Sequence, residues 1–173
     1  EEGVQGGYHT PEMRRVTPFI KTKGDAHKEI VNHAYPYKHI EAVNHMQKTA
    51  WRVNKPMVDL IRAYSEMGIP VEGLPRKDAL EVPPHPGDAA TDEEKKQWMI
   101  DAKHIHAKNK ENQHALICLG QSAFMADQLK DRPFWFAYNC DFRGRIYCTS
   151  TTLTTQGPDH IKAMIKFDEG KPL

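Results

Sequence analysis

Five prolines and three glycines between residues 68 and 90 limit what this chain can fold into more than any other feature. Each proline fixes one backbone torsion angle and removes one amide donor, so such a stretch forms neither a helix interior nor a central strand. The segments on both sides of it have helical periodicity. We therefore expect a loop that joins two helices as an antiparallel pair.

The first helical pattern covers residues 36–66. Its apolar residues recur mostly three or four positions apart, as on one face of an amphipathic helix. They are Ile40, Val43, Ala50, Val53, Met57, Leu60, Ile61 and Tyr64. Pro36 suits a first helical turn, whereas Pro56 lies inside the pattern and should kink the helix or divide it in two. Gly68 and Pro70 are the stop signals.

The second helical pattern begins with a capping box. Thr91 can accept a hydrogen bond from the amide of Glu94, whose side chain can reach back to the amide of Thr91. The pattern then extends to Leu129, with a polar run at residues 108–114 that is either a solvated part of the helix or a break in it. At about 1.5 Å per residue, the two helices would form an arm about 40 Å long or longer.

The periodicity changes after the second helix. Residues 134–138 and 146–149 are rich in the aromatic and β-branched residues that are typical of strands, and residues 141–145 form a turn between them. We expect a β-hairpin there, a short helix over residues 159–167, and an edge strand at residues 17–21. The fold class should be mainly α with a small β element: a long antiparallel helical arm, then a β-hairpin and a short helix.

Composition excludes several classes of protein. The 24 Lys and Arg nearly cancel the 23 Asp and Glu, so a nucleic-acid signal has to be local. The three cysteines lack C-x-x-C spacing, which argues against a disulfide framework or a zinc site. No apolar run approaches the roughly 20 residues that a bilayer requires. The chain begins without Met and stops just after a helical pattern, so we expect it to have been cut from a longer protein.

Three sets of residues have side chains that could bind a ligand or a metal ion, but for each of them we expect a purely structural role. The aromatic residues 134–136 could stack on bases, but a place in the core is expected. His104 and His106 are two positions apart, which on a helix puts them on different faces, so we expect no metal site there. Asn54 is expected to be structural, with its side chain bonded to the backbone.

The segment with a chemical signal is the turn Arg143-Gly144-Arg145. A glycine between two arginines lets the backbone approach a ligand closely, and the guanidinium forks can bind phosphate oxygens in pairs. Asp141 could orient one of those forks. The alternative is an ordinary surface turn in which Asp141 simply pairs with Arg143 or Arg145.

Four segments in the same order resemble the single-subunit RNA polymerases of bacteriophages and mitochondria. Residues 138–147 are similar to that family's D-x-x-G-R region, and residues 44–55 to its N-x-x-Q-x-T-x-W-x-[IV]-N segment. Residues 156–162 resemble its Q-G-x-D-x-x-K stretch and residues 167–173 its F-x-x-G-K-P-[IL] stretch. The glycines and tyrosine of residues 6–8 resemble a shorter element of the same family, and the details favour a phage over a mitochondrial origin.

The resemblance implies a division into three parts. Residues 1–49 would be an arm from the end of the polymerase N-terminal region. Residues 50–131 would be the thumb, which wraps the RNA–DNA hybrid and contains the two helices with their proline-rich loop. Residues 132–173 would be the first segment of the palm.

The same resemblance implies the roles of individual residues. Arg143 and Arg145 would lie beside the template or hybrid backbone, while Asp141 and Gly144 would shape and position the loop. Lys162 would approach the nascent RNA. Contacts of this kind fix register and processivity rather than read sequence.

Lys108 and Lys110 lie in the polar run of the second thumb helix. They could face phosphates of the hybrid. The alternative is that they are only solvated, as charged residues on a helix usually are.

The resemblance also implies what this segment lacks. The family's two catalytic aspartates, which would hold Mg²⁺ in the complete enzyme, and its nucleotide-binding helix match nothing here, so no catalytic residue and no metal ligand is expected in this chain. The chain alone should be inactive. The partners would be the DNA template, nascent RNA and, through the missing parts, NTPs. A monomer in the cytoplasm of an infected bacterium, or alternatively in a mitochondrion, would be expected, with no membrane contact.

Two other hypotheses compete with that of a polymerase segment. The chain could be a stand-alone nucleic-acid-binding module that derives from such a polymerase and lacks catalysis. It could also be a helical interaction protein in which the arginine turn is only a surface feature. The reading frame that follows Leu173 distinguishes the stand-alone module from a segment of a complete polymerase. A continuing frame that encodes the family's catalytic aspartates favours the polymerase, and a stop codon favours the module.

Overall fold

The computed structural model describes residues 7–21, residue 24 and residues 37–170. Five helices and five strands lie within these ranges. The helices are α1 (Pro11–Val16), α2 (Tyr37–Gln47), α3 (Lys55–Met67), α4 (Asp92–Leu129) and α5 (Asp159–Ala163). The strands are β1 (Ile20–Lys21), β2 (Trp51–Val53), β3 (Tyr138–Asp141), β4 (Ile146–Cys148) and β5 (Ile165–Phe167). The prediction of a mainly α fold with a small β element is confirmed, whereas the expectations for Pro36 and for residues 171–173 lie outside the described residues.

A strand divides the first predicted helix. Residues 51–53 form β2, which pairs antiparallel with β5 through Trp51 opposite Phe167 and Val53 opposite Ile165. The prediction of helix through this stretch was wrong because apolar spacing in a short segment does not distinguish a helix from a strand that finds a distant partner. A kink or a division was expected at Pro56, but Pro56 instead occupies the first turn of α3, where its missing amide costs no hydrogen bond.

The stop signals after α3 are confirmed. Gly68 adopts the left-handed conformation, with φ 67°, and its amide donates to the carbonyl of Ser65. A side chain is strained at such a torsion angle, which explains the glycine. The short helix predicted over residues 159–167 was too long, because it ends at Ala163 and residues 165–167 form β5.

The helix α4 is a single element of 38 residues. At about 1.5 Å per residue it is about 57 Å long. Its capping box is present as predicted: the Thr91 hydroxyl accepts from the Glu94 amide, and the Glu94 carboxylate accepts from the Thr91 amide. The polar run at residues 108–114 does not break the helix.

The polar run has a structural role that the sequence did not reveal. The side chain of Asn112 accepts from the amide of Arg76 and donates to its carbonyl, at 2.7 Å in both cases. Asn109 does the same with Leu80, at 2.8 and 2.9 Å. Nearer the start of α4, the indole of Trp98 donates to the carbonyl of Pro83 at 2.8 Å. The proline-rich loop is therefore fastened along α4.

The arm differs from the predicted pair of long helices. Helix α3 has only 13 residues and lies antiparallel to the C-terminal part of α4, where Arg62 pairs with Asp127 at 2.8 Å. Beyond α3, the extended loop takes the place of the second helix and runs along the rest of α4. None of the described helices combines the length and the apolar character needed to cross a bilayer.

The predicted hairpin is confirmed, with β3 and β4 antiparallel and Cys140 opposite Ile146. Its first strand starts at Tyr138 and not at residue 134. Phe134 instead exchanges backbone hydrogen bonds with Trp51 at 2.8 and 2.9 Å. The predicted edge strand is present only at residues 20–21 of the expected 17–21, where β1 pairs in parallel with β3 and forms the outer member of the order β1-β3-β4.

The core lies where helices α2, α3, α4 and α5 meet the strands. Its largest fully buried hydrophobic side chains are those of Val43, Leu153 and Met164. Of the aromatic residues 134–136, Phe136 is buried and Phe134 is partly buried against the core, as predicted, but Trp135 is 56% exposed, so its assignment to the core was wrong. Asn54 bonds the backbone as expected, because its side-chain amide donates to the carbonyl of Ala163 at 3.1 Å.

Candidate nucleic-acid interface

The arginine turn is built around the end of β3. The amide of Asp141 donates to the carbonyl of Arg145 at 2.9 Å, and the amide of Gly144 donates to the carbonyl of Asp141 at 3.0 Å. Gly144 has φ 84°, a torsion angle that other residues adopt only with strain. The chain reverses within these few residues, and the side chains of both Arg143 and Arg145 face the carboxylate of Asp141.

The carboxylate of Asp141 organises the turn. One oxygen accepts from the amides of Arg143 and Arg145, at 2.9 Å each. The other accepts from the Nε of Arg145 at 2.8 Å and from the hydroxyl of Tyr147 at 3.3 Å. The Nε of Arg143 lies 3.5 Å from the same oxygen. The predicted role of Asp141 in holding the loop thus has a geometric basis.

The two arginines are paired and exposed at the same time. The side chains of Arg143 and Arg145 are 59% and 55% exposed, whereas that of Asp141 is only 12% exposed. In both ion pairs the nitrogen that faces Asp141 is Nε. A guanidinium has two further nitrogens at its outer edge, so pairing through Nε is compatible with a second acceptor beyond the turn.

The hydrogen bonds of the turn set the ionisation of Asp141. Burial by itself would raise the pKa of this carboxyl, but the bonds from the amide and guanidinium of Arg145, the charge of Arg145 and the hydroxyl of Tyr147 together hold its pKa below the usual value. The carboxylate form is therefore the one that fits the folded turn.

Acid should weaken the hairpin through this carboxyl. A depressed pKa in the folded state adds stability above the unfolded-state value of about 3.9, and that contribution is lost as the pH falls through the folded-state pKa. We expect Asp141→Asn to lower the free energy of unfolding at pH 7 and to lower it less at pH 3. Urea unfolding at both pH values measures the difference. Asp131→Asn removes an exposed carboxylate outside the hairpin and serves as the control; an equal loss at both pH values for Asp141→Asn would contradict the assignment.

Lys21 joins the turn from the neighbouring strand. It lies opposite Asp141 in the parallel pairing of β1 with β3. Its Nζ is 5.8 Å from the centre of the Tyr147 ring, and the guanidinium carbon of Arg145 is also 5.8 Å from that centre. These are distances at which a cation is attracted to an aromatic ring. The sequence offered only the short strand as a signal, and Lys21 was not among the predicted site residues.

His39 of α2 covers the glycine of the turn. A Cβ added to Gly144 would lie 2.5 Å from the Nε2 of His39 and 3.3 and 3.4 Å from two carbons of its ring. Such a Cβ cannot be accommodated unless the imidazole moves. No sequence pattern pointed to His39, because 105 positions separate it from Gly144 and nothing local connects them.

Gln47 fixes the position of α2. Its side-chain oxygen accepts from the amides of Gly7 and Tyr138, both at 3.0 Å, and its side-chain nitrogen donates to the carbonyl of Gly7 at 3.0 Å. One side chain therefore ties the N-terminal segment and the start of β3 to the end of α2. This gives the glutamine of residues 44–55 a structural role.

The three predicted lysines lie on other elements. Lys162 is in α5, half exposed and paired with Asp159 at 2.6 Å. Lys108 and Lys110 are exposed near the middle of α4. Lys110 is 19 residues before the end of that helix at Leu129, about 29 Å along its axis. None of the contacts described for these three lysines joins them to the arginine turn.

The described residues do not suit a catalytic metal ion. Among them, no group of three or more His, Cys, Asp or Glu side chains converges to hold one. Asp141 is the carboxylate of the site, and two guanidinium groups already face it. Competition with those cations makes Asp141 a poor ligand for Mg²⁺.

The chain is similar to viral and mitochondrial proteins. The DNA-directed RNA polymerase of Enterobacteria phage T3 is 31% identical to it over an alignment 179 positions long, which covers 98% of this chain and 20% of the relative. T7 RNA polymerase of Escherichia phage T7 is 28% identical over an alignment 177 positions long, which covers 99% of this chain and 20% of the relative. The mitochondrial DNA-directed RNA polymerase of Neurospora crassa is 30% identical over 128 residues, which cover 73% of this chain and 9% of the relative. No protein-family model matches the chain. The chain spans about a fifth of the length of the phage relatives it matches.

Proposed function

This chain belongs to the family of phage and mitochondrial single-subunit RNA polymerases, and we propose that it is the part of a DNA-directed RNA polymerase that grips the template and the RNA–DNA hybrid. The observation that carries this proposal is the turn in which Arg143 and Arg145 are aligned by one carboxylate and remain more than half exposed. Its ligand would be the sugar–phosphate backbone.

The geometry suits phosphate for a physical reason. The amides of Arg143 and Arg145 donate to Asp141 and hold the backbone of the turn. The Nε of Arg145 donates to the same carboxylate, and the Nε of Arg143 lies 3.5 Å from it, so both side chains are restrained and less conformational entropy is lost when a phosphate binds. The planar guanidinium then offers its outer edge to two phosphate oxygens. The contact would be independent of base sequence.

The other parts of the chain would have the roles that the family resemblance implies. Helices α3 and α4 with their loop would form the thumb, in residues 50–131, and residues 132–173 would begin the palm. Residues 1–49 would be the arm that precedes them. Lys162 would approach nascent RNA, and Lys108 and Lys110 would face phosphates from α4. Nucleotidyl transfer with Mg²⁺ would belong to other parts of the polymerase.

The proposal predicts a change in salt dependence. Each phosphate contact contributes about 0.9 or less to the slope of log affinity against log salt concentration. We expect R143A/R145A to weaken binding of the 173-residue chain to an RNA–DNA hybrid at every base sequence and to reduce this slope by about 1.8 or less. Fluorescence anisotropy over a range of salt concentrations measures both quantities.

Two controls separate geometry from charge. R143K/R145K keeps both charges and removes both forks, so it should retain the slope and still bind less tightly. K48A/K130A removes two exposed charges elsewhere. If K48A/K130A weakened binding and flattened the slope as much as R143A/R145A, the turn would be no more than part of a diffuse positive surface.

A further inference from the structure

We propose that His39 is a third phosphate-binding residue of this surface, with a contribution that increases as its imidazole becomes protonated. The inference rests on the proposed function, because it requires that the arginine turn binds a nucleic-acid backbone. It adds a residue from a different part of the chain. It also makes the affinity of the site depend on pH.

The placement of His39 follows from how α2 lies on the hairpin. His39, Val43 and Gln47 are four residues apart and therefore form one line along the helix. Gln47 bonds the amide of Tyr138 at the start of β3, and Val43 is fully buried in the core. The eight residues from His39 to Gln47 cover about 12 Å of helix, close to the length of a four-residue strand. Gln47 therefore lies at the start of β3, and His39, at the other end of this line, lies at the turn that follows β3.

Contact with Gly144 puts the imidazole beside both arginines. The Nε2 of His39 lies 2.5 Å from the position that a Cβ of Gly144 would take. Arg143 and Arg145 are the two neighbours of that glycine in the chain. The His39 side chain is exposed, as theirs are. A phosphate held by either guanidinium is thus within reach of the ring.

The charges around His39 determine the direction of the pH effect. Among the described residues, the charged groups on the elements around His39 are Lys38 and Glu41 of α2, Asp141, Arg143 and Arg145 of the hairpin, and Lys21 of β1. These described groups comprise four cations and two carboxylates. A bound phosphate adds negative charge and favours the imidazolium, so binding should take up a proton and strengthen as the pH falls.

The experiment compares two histidines of the same helix in the full 173-residue chain. His45 is exposed on α2, six positions and about 120° around the helix from His39. Hybrid binding is measured for the wild-type chain, H39Q and H45Q at pH 6 and pH 8 over a range of salt concentrations. Circular dichroism verifies that each variant is folded.

We expect the wild-type chain to bind more tightly at pH 6 than at pH 8, by up to about eightfold at 0.1 M salt, with a slope steeper by up to about 0.9. H45Q should behave as the wild-type chain does, and H39Q should lose the pH dependence while still binding. H39K keeps a cation at both pH values and should bind tightly at both.

The outcomes distinguish the two proposals. If H39Q kept the pH dependence of the wild-type chain, or if arginine-dependent binding did not change with pH, His39 would not contact the phosphate and the proposed function would remain. If the wild-type chain bound no hybrid at either pH, or bound it equally well without Arg143 and Arg145, the proposed function itself would fail, and the role of His39 with it.

Discussion

Truncation of Met164 to alanine should lower the free energy of unfolding by about 2–5 kcal/mol, which is the usual range for a buried methionine. Met164 is fully buried, and its side chain belongs to the core cluster that contains Val58 and Ile61 of α3 and Leu119 of α4. Its carbonyl also accepts from the amide of Asn54 at 2.8 Å. The loss would leave a cavity where α3 and α4 meet the sheet formed by β2 and β5.

Chemical denaturation measures this loss, and the midpoint of thermal unfolding should fall by roughly 4–20 °C. Met99→Ala is the matched control. Met99 lies on α4 and is 57% exposed, so its truncation should change the free energy of unfolding by no more than about 0.5 kcal/mol. If both substitutions had equally small effects, Met164 would not lie in a packed core.

The double substitution Asn109→Ala with Asn112→Ala should release the proline-rich loop from α4. The two side chains form four hydrogen bonds to backbone groups of Arg76 and Leu80. A net value of about 0.5 kcal/mol for each bond, the low end for solvent-accessible groups, amounts to about 2 kcal/mol. The detached fraction of the loop should then rise by roughly 30-fold. The core does not include these contacts, so global stability should change less.

Trypsin provides the measurement, because Arg76 and Lys77 follow each other at the first attachment point. The rate of cleavage at these residues should follow the detached fraction when the loop opens and closes faster than it is cut. Gln113→Ala removes an exposed amide from the same turn of the helix and should leave the rate unchanged. A double variant that was cut no faster than the wild-type chain would show that other contacts hold the loop.

Local signals in the sequence were sufficient for elements whose cause is local. Thr91 and Glu94 are three residues apart, and both hydrogen bonds of their capping box form as predicted. Gly68 ends α3 for an equally local reason. By contrast, residues 51–53 form a strand because they pair with residues 165–167, which no window of sequence could reveal. The same long-range pairing shortened the helix that begins at Asp159.

The residues of the candidate site also fall into two groups, those that are close in sequence and those that the tertiary structure brings together. Asp141 and Arg145 are four positions apart, so a pairing within the turn was foreseeable, and the structure contains it. Lys21 and His39 come from β1 and α2, and they reach the turn only because the sheet and the packing of α2 bring them there. Their contribution depends on tertiary structure. The phosphate-binding roles of Arg143 and Arg145 remain predictions until binding is measured.

The attachment of the loop to α4 has a consequence for redesign. Asn109 and Asn112 recognise only the amide and carbonyl groups at positions 76 and 80, which every amino acid except proline provides. The composition of the segment can therefore be exchanged widely while its course stays the same. An engineer could replace residues 77–79 or attach chemical labels there, provided that the number of residues between the two anchoring points is kept and neither anchor becomes proline.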